Sequence, residues 1–345
     1  MQARPPLQIL AGALLAAALA TGAHADSGSF GDWAVVCDNT RVCEAFGFGD
    51  LDETGSSGYI VIRRDAGAAA APMARLVTAG QGEASLSLAV DGRTPAGLGG
   101  LPARPLENDP DRRLTELTQA QTQALLPALL NGARLSATEA GRPALELSLA
   151  GSSASVRFMD DRQKRAGTLS ALVARGARGL EAVPPPPAAP VVTPAPAVSQ
   201  AGLPQAPPAA IAARLSDCDE DLMELGLEPE VARLAEGRLF WALACSRGAY
   251  NVIYRLFLSD EAGGAVEPLR LAYPSGEQTE ELMNIAYDPQ TRTLANFDKG
   301  RGLGDCGAVT EWRWTGEGFE LAEQVFMPEC RGVPPEAWPV SYRSR

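Results

Sequence analysis

Histidine, positive charge and long apolar runs are scarce in this sequence, and each scarcity excludes a class of function. One of the 345 residues is histidine, His24. We expect it to be removed with an export signal, so the mature chain would have no Ser-His-Asp triad, Cys-His pair or imidazole metal ligand. Lys and Arg total 30 against 42 Asp and Glu, a formal charge of -12, which argues against binding to nucleic acid or anionic lipid. Beyond the first 25 residues, no stretch is long and apolar enough to span a membrane.

Residues 1–25 are typical of an export signal. Arg4 supplies a positive charge near the start, residues 9–20 are almost entirely apolar, and residues 23–25 fit the small-x-small cleavage pattern. The apolar run is shorter than the roughly 20 residues of a membrane-spanning helix, which disfavours the alternative of an N-terminal anchor. We expect cleavage after Ala25 and a periplasmic or secreted protein.

Six cysteines indicate a disulfide framework. An even number in an exported chain points to disulfides, and spacings of five or more residues without histidine fit zinc poorly. Cys37 and Cys43 lie far from the others, so we expect them to pair and to clamp the turn between them. The remaining four allow three pairings, of which we favour the sequential one, Cys218–Cys245 with Cys306–Cys330.

A proline-rich segment divides the chain. Residues 184–208 include ten prolines and no charged residue, a composition that excludes a helix or a central strand. We interpret the segment as an extended, semi-rigid linker; the alternative is a polyproline ligand for a partner domain. The linker separates an N-terminal β-rich domain, residues 26–183, from a C-terminal antiparallel β-meander domain, residues 209–345.

The predicted fold class is mainly β or α+β, with two antiparallel-β domains and a few short helices. In the N-terminal half, strands are predicted at 33–37, 58–63, 84–90, 145–149 and 168–173, and helices near 118–132 and at 152–165. In the C-terminal half, helices are predicted at 219–225 and 229–235, and strands at 238–245, 251–258, 266–272, 282–287, 293–297, 311–314 and 319–325. The apolar face of the C-terminal meander is assigned to Trp312, Trp314, Phe319 and Leu321. Stacking of the two tryptophans on carbohydrate is the alternative to core packing.

Two motifs resemble ligand sites, but in each case another explanation fits the sequence better. Asp217, Asp219 and Asp221, with Glu228, have the spacing of an EF-hand loop, but Leu222 replaces the glycine that the loop requires. We interpret these acids as residues favoured near a helix N-terminus. The segment 302–307 matches G-x-G-x-x-G, but a strand rather than a helix is predicted after it, so we interpret it as a tight loop.

Three residues beside that glycine-rich loop form a candidate interaction loop. Lys299 and Arg301 flank the loop in an otherwise acidic protein, and Asp305 lies within it. Two cations close together could hold an anion, and the alternative is a solvated turn. A second mixed-charge cluster, residues 160–165, is interpreted as surface ion pairing. No catalytic residue, metal ligand or cofactor is predicted, because the sequence has no G-x-S-x-G and no spacing singles out a carboxylate pair.

Several segments together resemble a known family. They are GDWAVVCDNTRVCEA near Trp33, residues 149–176, CSRGAYN from Cys245, KGRGLGDCG from Lys299, the EWRW strand and the tail with Trp338. This set resembles the exported bacterial family named domain of unknown function 1176. The N-terminal half is also similar, more loosely, to invasion-associated locus B proteins. The resemblance implies an envelope protein with a β-sandwich-like N-terminal half, and it implies no reaction.

The leading hypothesis from the sequence is a non-catalytic periplasmic binding or interaction protein. Its partner would be an unknown envelope protein or glycan. Two modules on one tether could bind multivalently. The alternatives are an envelope glycan hydrolase that uses paired carboxylates and a secreted inhibitor of hydrolases.

Overall fold

The computed structural model describes residues 26–50, 58–219, 222 and 226–345. The predicted export signal and most of the predicted helix at 219–225 lie outside these residues. The described chain is rich in antiparallel strands and has few, short helices, which confirms the predicted fold class. None of the helices in this part of the chain combines the length and the apolar character needed to cross a membrane.

The N-terminal half forms one long antiparallel sheet in the order β1-β2-β3-β4-β5-β8-β7-β6-β9-β10. A bridge between Gly49 and Leu147 brings β10 close to the end of β3, so the sheet curls around a core that α1 and α2 help to cover. The elements are β1 Asp26–Phe30, β2 Trp33–Cys37, β3 Cys43–Phe48, β4 Gly58–Arg64, β5 Met73–Ala79, β6 Ala84–Val90, β7 Leu101–Leu106, β8 Asp109–Glu116, α1 Gln119–Asn131, β9 Arg134–Glu139, β10 Arg142–Ser148 and α2 Ser152–Arg162.

Helix α1 begins and ends as its sequence predicts. Thr118 accepts a hydrogen bond from the backbone of Gln121, whose side chain accepts one from the Thr118 amide, so the capping box is complete. Gly132 is the C-cap. Pro127 lies inside the helix, which nevertheless continues to Asn131.

The C-terminal half consists of two five-stranded sheets and one small hairpin within the described residues. One sheet contains β11-β12-β13-β14 with β17 beside β13, and the other runs β18-β19-β20-β21-β22. The elements are α3 Ala209–Ala212, β11 Glu230–Ala235, β12 Arg238–Arg247, β13 Val252–Ser259, β14 Glu267–Pro268, β15 Leu271–Ala272, β16 Gln278–Thr279, β17 Glu281–Met283, β18 Ala286–Asp288, β19 Thr293–Lys299, β20 Gly307–Trp314, β21 Phe319–Met327 and β22 Val340–Arg343, with single 3-10 turns at Ala213–Leu215 and Pro335–Ala337. A further 3-10 turn, Leu180–Ala182, belongs to the N-terminal half.

The paired tryptophans belong to the core of this half. Trp312 and Trp314 are fully buried on the inner face of β20, and Phe319 and Leu321 pack against the same cluster. The Trp312 indole N–H donates to the Ala272 carbonyl at 2.8 Å. Core packing is therefore the correct interpretation, because a buried ring has no face to offer to a carbohydrate.

Two predicted elements are of the wrong type, and the predicted strands 266–272 and 282–287 are each divided between two sheets. Residues 229–235 contain strand β11 instead of a helix, because Ala232 and Leu234 alternate into the core with the two-residue period of a strand. Residues 168–173 form turns instead of a strand. The amides of Leu172 and the two residues after it donate to the Asp160 carboxylate, not to a neighbouring strand.

The interpretation of residues 160–165 as surface ion pairing is also wrong, because Asp160 and Arg165 are buried. The Asp160 carboxylate accepts a hydrogen bond from Arg64 Nη2 at 2.7 Å in addition to the three turn amides. Arg64 Nε also donates to Gln163 Oε1. Burial lowers the pKa of Arg165 to about 10. This network ties α2 and the turn after it to strand β4.

The proline-rich segment lies along the C-terminal half. Residues 184–208 contain neither helix nor strand, as predicted. Val192 donates to the carbonyl of Arg345, Ala195 donates to that of Trp314, and Gln200 exchanges two hydrogen bonds with the backbone of Arg233. These bonds hold the segment against the strands of the C-terminal half.

Candidate functional site

The described residues of the two halves share an apolar interface, and it explains why successive residues of strands β2 to β4 are buried. The face of β3 that carries Ala45, and the matching faces of β2 and β4, belong to the N-terminal core. The opposite face, with Phe46 and Val61, packs against Met327 and Trp338 of the C-terminal half. A sheet covered on both faces requires apolar residues at successive positions instead of alternating ones.

Polar contacts surround this interface. The Asn39 side chain donates to the Arg343 carbonyl of β22 and accepts from the Arg343 amide, each at 2.9 Å. The Arg343 side chain also forms an ion pair with Asp38. Asp38 and Asn39 belong to the turn that the disulfide Cys37–Cys43 closes. The predicted clamped turn therefore docks the C-terminal half.

A cleft of about 600 Å³ opens beside the shared core. The N-terminal half contributes strands β3, β4 and β5 and the hairpin between β7 and β8, and the C-terminal half contributes the turn 334–337 and the start of β22. This volume is within the range of roughly 300–1,000 Å³ that is usual for small-molecule sites. The lining residues are Glu44, Tyr59, Arg63, Arg75, Val77, Leu106, Glu107, Asn108, Asp109, Leu114, Pro334, Glu336, Ala337, Trp338 and Val340.

Strand register places the polar side chains of the cleft. Glu44 lies opposite Arg63, and Phe48 lies opposite Tyr59, across the β3–β4 pair. Neighbouring residues of one face are close enough to interact: Arg63 Nη1 is 3.1 Å from one Glu44 oxygen, and Arg75 Nη2 is 3.9 Å from the other. Glu44 is therefore a buried carboxylate held between two guanidinium groups.

Tyr59 is the buried phenol of the cleft. Its side chain is almost completely enclosed, and burial raises its pKa above the ordinary value, although Arg75 and Arg112 act in the opposite direction. The phenol is therefore neutral at physiological pH and able to donate a hydrogen bond.

The candidate interaction loop is braced by its own side chains. Arg301 Nε donates to Asp305 Oδ1 at 2.6 Å, and the Gly332 amide donates to Asp305 Oδ2 at 2.7 Å. Burial alone would raise the pKa of Asp305, but Arg301 and the Gly332 amide hold it below its usual value. The Lys299 ammonium lies 5.3 Å from the centre of the Phe297 ring. Because Asp305 already binds Arg301, the loop does not present two free cations to an anion.

The glycines of the loop make its tight turn. Gly304 and Gly307 have φ of 67° and 124°, in the region that favours glycine. A Cβ on Gly307 would lie 1.9 Å from the Asp298 carbonyl oxygen. The strand β20 follows, so the context of a dinucleotide site is missing from this segment.

All six cysteines form disulfides, with the sequential pairing Cys37–Cys43, Cys218–Cys245 and Cys306–Cys330. Asp305 lies close to the sulfurs of Cys306 and Cys330. Those two sulfurs are bonded to each other, so neither is a thiolate ligand.

The acidic residues with EF-hand spacing do not gather around one point among the described residues. Both carboxylate oxygens of Asp217 accept hydrogen bonds from Arg255, at 2.6 and 2.8 Å. These bonds lower the pKa of Asp217. The Asp219 amide donates to the Cys245 carbonyl, and Asp221 lies outside the described residues.

One carboxylate pair lies directly across two strands. Glu311 of β20 faces Glu323 of β21, and neither residue lines the cleft. Burial and, second, the charge of Glu323 raise the pKa of Glu311. Like charges in this arrangement are unfavourable.

We expect Glu311→Gln to stabilise the protein at neutral pH. A carboxyl whose folded pKa is raised opposes folding above that pKa, and the penalty disappears as the pH falls through it toward about 4.3, the unfolded value. Because Glu311 is half exposed, the gain should be no more than about 1 kcal/mol at pH 7. Urea unfolding at pH 7 and pH 4 would measure it, with Glu317→Gln in the adjoining exposed turn as control. An equal gain at both pH values would contradict this prediction.

Three comparisons place the chain among known proteins. A family model described as "Protein of unknown function (DUF1176)" matches residues 27–345. The uncharacterized protein YpfG of Escherichia coli strain K12 is 30% identical over 358 residues, which cover 96% of this chain and 97% of YpfG. The crystal structure of invasion associated protein B from Bartonella henselae is weakly similar, with a TM-score of 0.29 and 15% identity; the match covers 40% of this chain and 99% of that chain.

Proposed function

We propose that this chain, which belongs to the DUF1176 family of proteins of unknown function, is a non-catalytic binding or interaction protein of the cell envelope. The cleft between its two halves carries the proposal. It has the volume of a small-molecule site, and both halves contribute to its lining. Sites of this kind are common where two domains meet.

The framework around the cleft supports binding. The shared apolar core holds the two halves together beside the cleft, and the disulfide Cys37–Cys43 closes the turn that docks on Arg343. A preformed site loses little conformational entropy when a ligand enters. The envelope location is inferred from residues 1–25 and from the disulfides.

The chemistry of the lining favours recognition over catalysis. The Glu44 carboxylate is held between two arginines, an arrangement suited to orienting a ligand. Among the described residues, those that line the cleft include no serine, cysteine or histidine. The glycan hydrolase remains the alternative, and its paired carboxylates would be Glu311 and Glu323. Release of soluble fragments from peptidoglycan by the wild-type protein, lost in Glu311→Gln, would support that alternative.

We expect the cleft to bind a neutral apolar probe at one saturable site. Titration with N-phenyl-1-naphthylamine should raise its fluorescence with the wild-type protein, because the apolar lining excludes water from the dye. Val340→Trp, which fills the cleft, should weaken binding at least tenfold. Val191→Trp is the matched control, because Val191 is 60% exposed and lies outside the cleft.

Two results would contradict the proposal. One is no saturable binding to the wild-type protein, and the other is equal binding to Val340→Trp. Mass spectrometry of molecules released from the denatured wild-type protein, purified from its envelope, would identify the natural ligand. The same molecule should be absent from Val340→Trp.

A further inference from the structure

The positive charges that line the cleft are already neutralised by the protein. Arg63 pairs with Glu44 at 3.1 Å and with Asp65 at 3.0 Å, and Arg75 approaches the second oxygen of Glu44. At the other side, Asp109 pairs with Arg112 at 3.2 Å. The three arginines are balanced by the three carboxylates, so these groups leave no excess positive charge for an anionic ligand.

Two carboxylates of the lining remain unbalanced. Glu107 lies in the turn between β7 and β8, and Glu336 lies in the 3-10 turn Pro335–Ala337. Both are exposed, and neither has an ion-pair or hydrogen-bond partner among the described residues. They line the same cleft, one from each half of the chain, so a ligand in the cleft meets negative charge from both halves.

Five apolar residues of the lining, here called the floor, come from both halves. Val77, Leu106 and Leu114 come from the N-terminal half, and Ala337 and Val340 come from the C-terminal half. Apolar side chains supply affinity by excluding water, and a few charged groups fix the orientation of the ligand. This lining therefore combines a hydrophobic floor with an anionic rim.

We propose that the cleft binds a small amphipathic cation, whose apolar body lies on the floor and whose ammonium or guanidinium group lies between Glu107 and Glu336. This inference rests on the proposed function, since it names the ligand class of the same cleft. The complementary charge sets the specificity, and the apolar contact supplies most of the affinity.

Calorimetric titration with three probes of equal chain length tests the inference. The probes are octyltrimethylammonium, octyl glucoside and octanesulfonate. We expect the cation to bind at least about tenfold more tightly than the sulfonate at low ionic strength. Ionic strength of about 0.15 M should narrow the difference, because both carboxylates are exposed to solvent.

The double variant Glu107→Gln/Glu336→Gln should remove the preference for the cation over the sulfonate. Glu317→Gln/Glu320→Gln is the matched control, since it removes two carboxylates outside the cleft lining. Unaltered melting temperatures would show that each variant is folded.

The outcomes separate this inference from the proposed function. Equal binding of all three probes, or a preference for the sulfonate, would overturn the ligand class and leave the binding function in place. Preference for the cation that persists in the double variant would overturn the assignment to Glu107 and Glu336. No binding of any probe to the wild-type protein would contradict the proposed function as well.

Discussion

Asp160→Asn is expected to lower the free energy of unfolding by about 3–5 kcal/mol. Asp160 is 0% exposed, and its carboxylate accepts hydrogen bonds from Arg64 and from the amides of residues 172, 173 and 174. An asparagine would direct an N–H₂ group at some of these donors, and the buried guanidinium of Arg64 would lose its counter-charge. Urea unfolding at pH 7 would measure the loss.

The next residue of the chain provides the control. Asp161 is exposed on the same helix, so Asp161→Asn should change the stability by no more than about 0.5 kcal/mol. The double variant Arg64→Met/Asp160→Asn should lose less than Asp160→Asn alone, because it no longer leaves a buried charge without a partner. A loss below about 1 kcal/mol for Asp160→Asn would show that the network is not a main support of α2.

Trp338→Ala is expected to destabilise the protein by about 3–5 kcal/mol and to uncouple the unfolding of its two halves. Trp338 is 4% exposed, its ring packs edge-on against Phe297 at 5.7 Å, and its indole N–H donates to the Val333 carbonyl. It belongs to the apolar cluster that the two halves share. Removing the ring opens a cavity where they meet.

Calorimetry would detect the uncoupling. The wild-type protein should unfold in one transition, because the shared core makes each half dependent on the other. Trp338→Ala should show two transitions. Trp338→Phe keeps an aromatic ring at the interface and should retain a single transition at a lower midpoint. Two transitions in the wild-type protein, or one unshifted transition in Trp338→Ala, would refute the coupling.

Local patterns predicted the elements that depend on local forces. The capping box at Thr118 and the alternation in residues 84–90 correspond to α1 and β6, because helix caps and strand periodicity involve residues close in sequence. The predicted disulfides are also those of the structure. The prediction for segment 229–235 is wrong because seven residues are too few to distinguish a helical period from a strand period.

Burial of charge was harder to predict. Residues 160–165 have the composition of a solvated surface. The amides that hydrogen-bond to Asp160 come from residues 172–174, which contain no charge or motif that would predict this contact. The sequence around Glu44 indicates a buried charge more clearly. It is the one charged residue of β3, whose other residues are small or apolar, and such a residue in a buried strand needs a partner.

The cleft could not be predicted from the sequence. Glu107 and Glu336 come from opposite halves, and no pattern within either half places them at one site. Trp338 belongs to the segments that carry the family resemblance, which gives no indication of where it packs. The charges of the candidate interaction loop suggest an anion site, but Arg301 and Asp305 neutralise each other.

The interface between the two halves also determines how late in synthesis the apolar face of the N-terminal half can be covered. Asn39 and Arg343, which hydrogen-bond across the interface, are 304 positions apart in the chain. A ribosome completes strands β2 to β4 long before it reaches Trp338, so the face with Phe46 and Val61 stays uncovered for nearly the whole of synthesis. Exposed apolar strands are prone to aggregate at this stage. A nascent chain of this protein should therefore depend on a chaperone until its last strand is made.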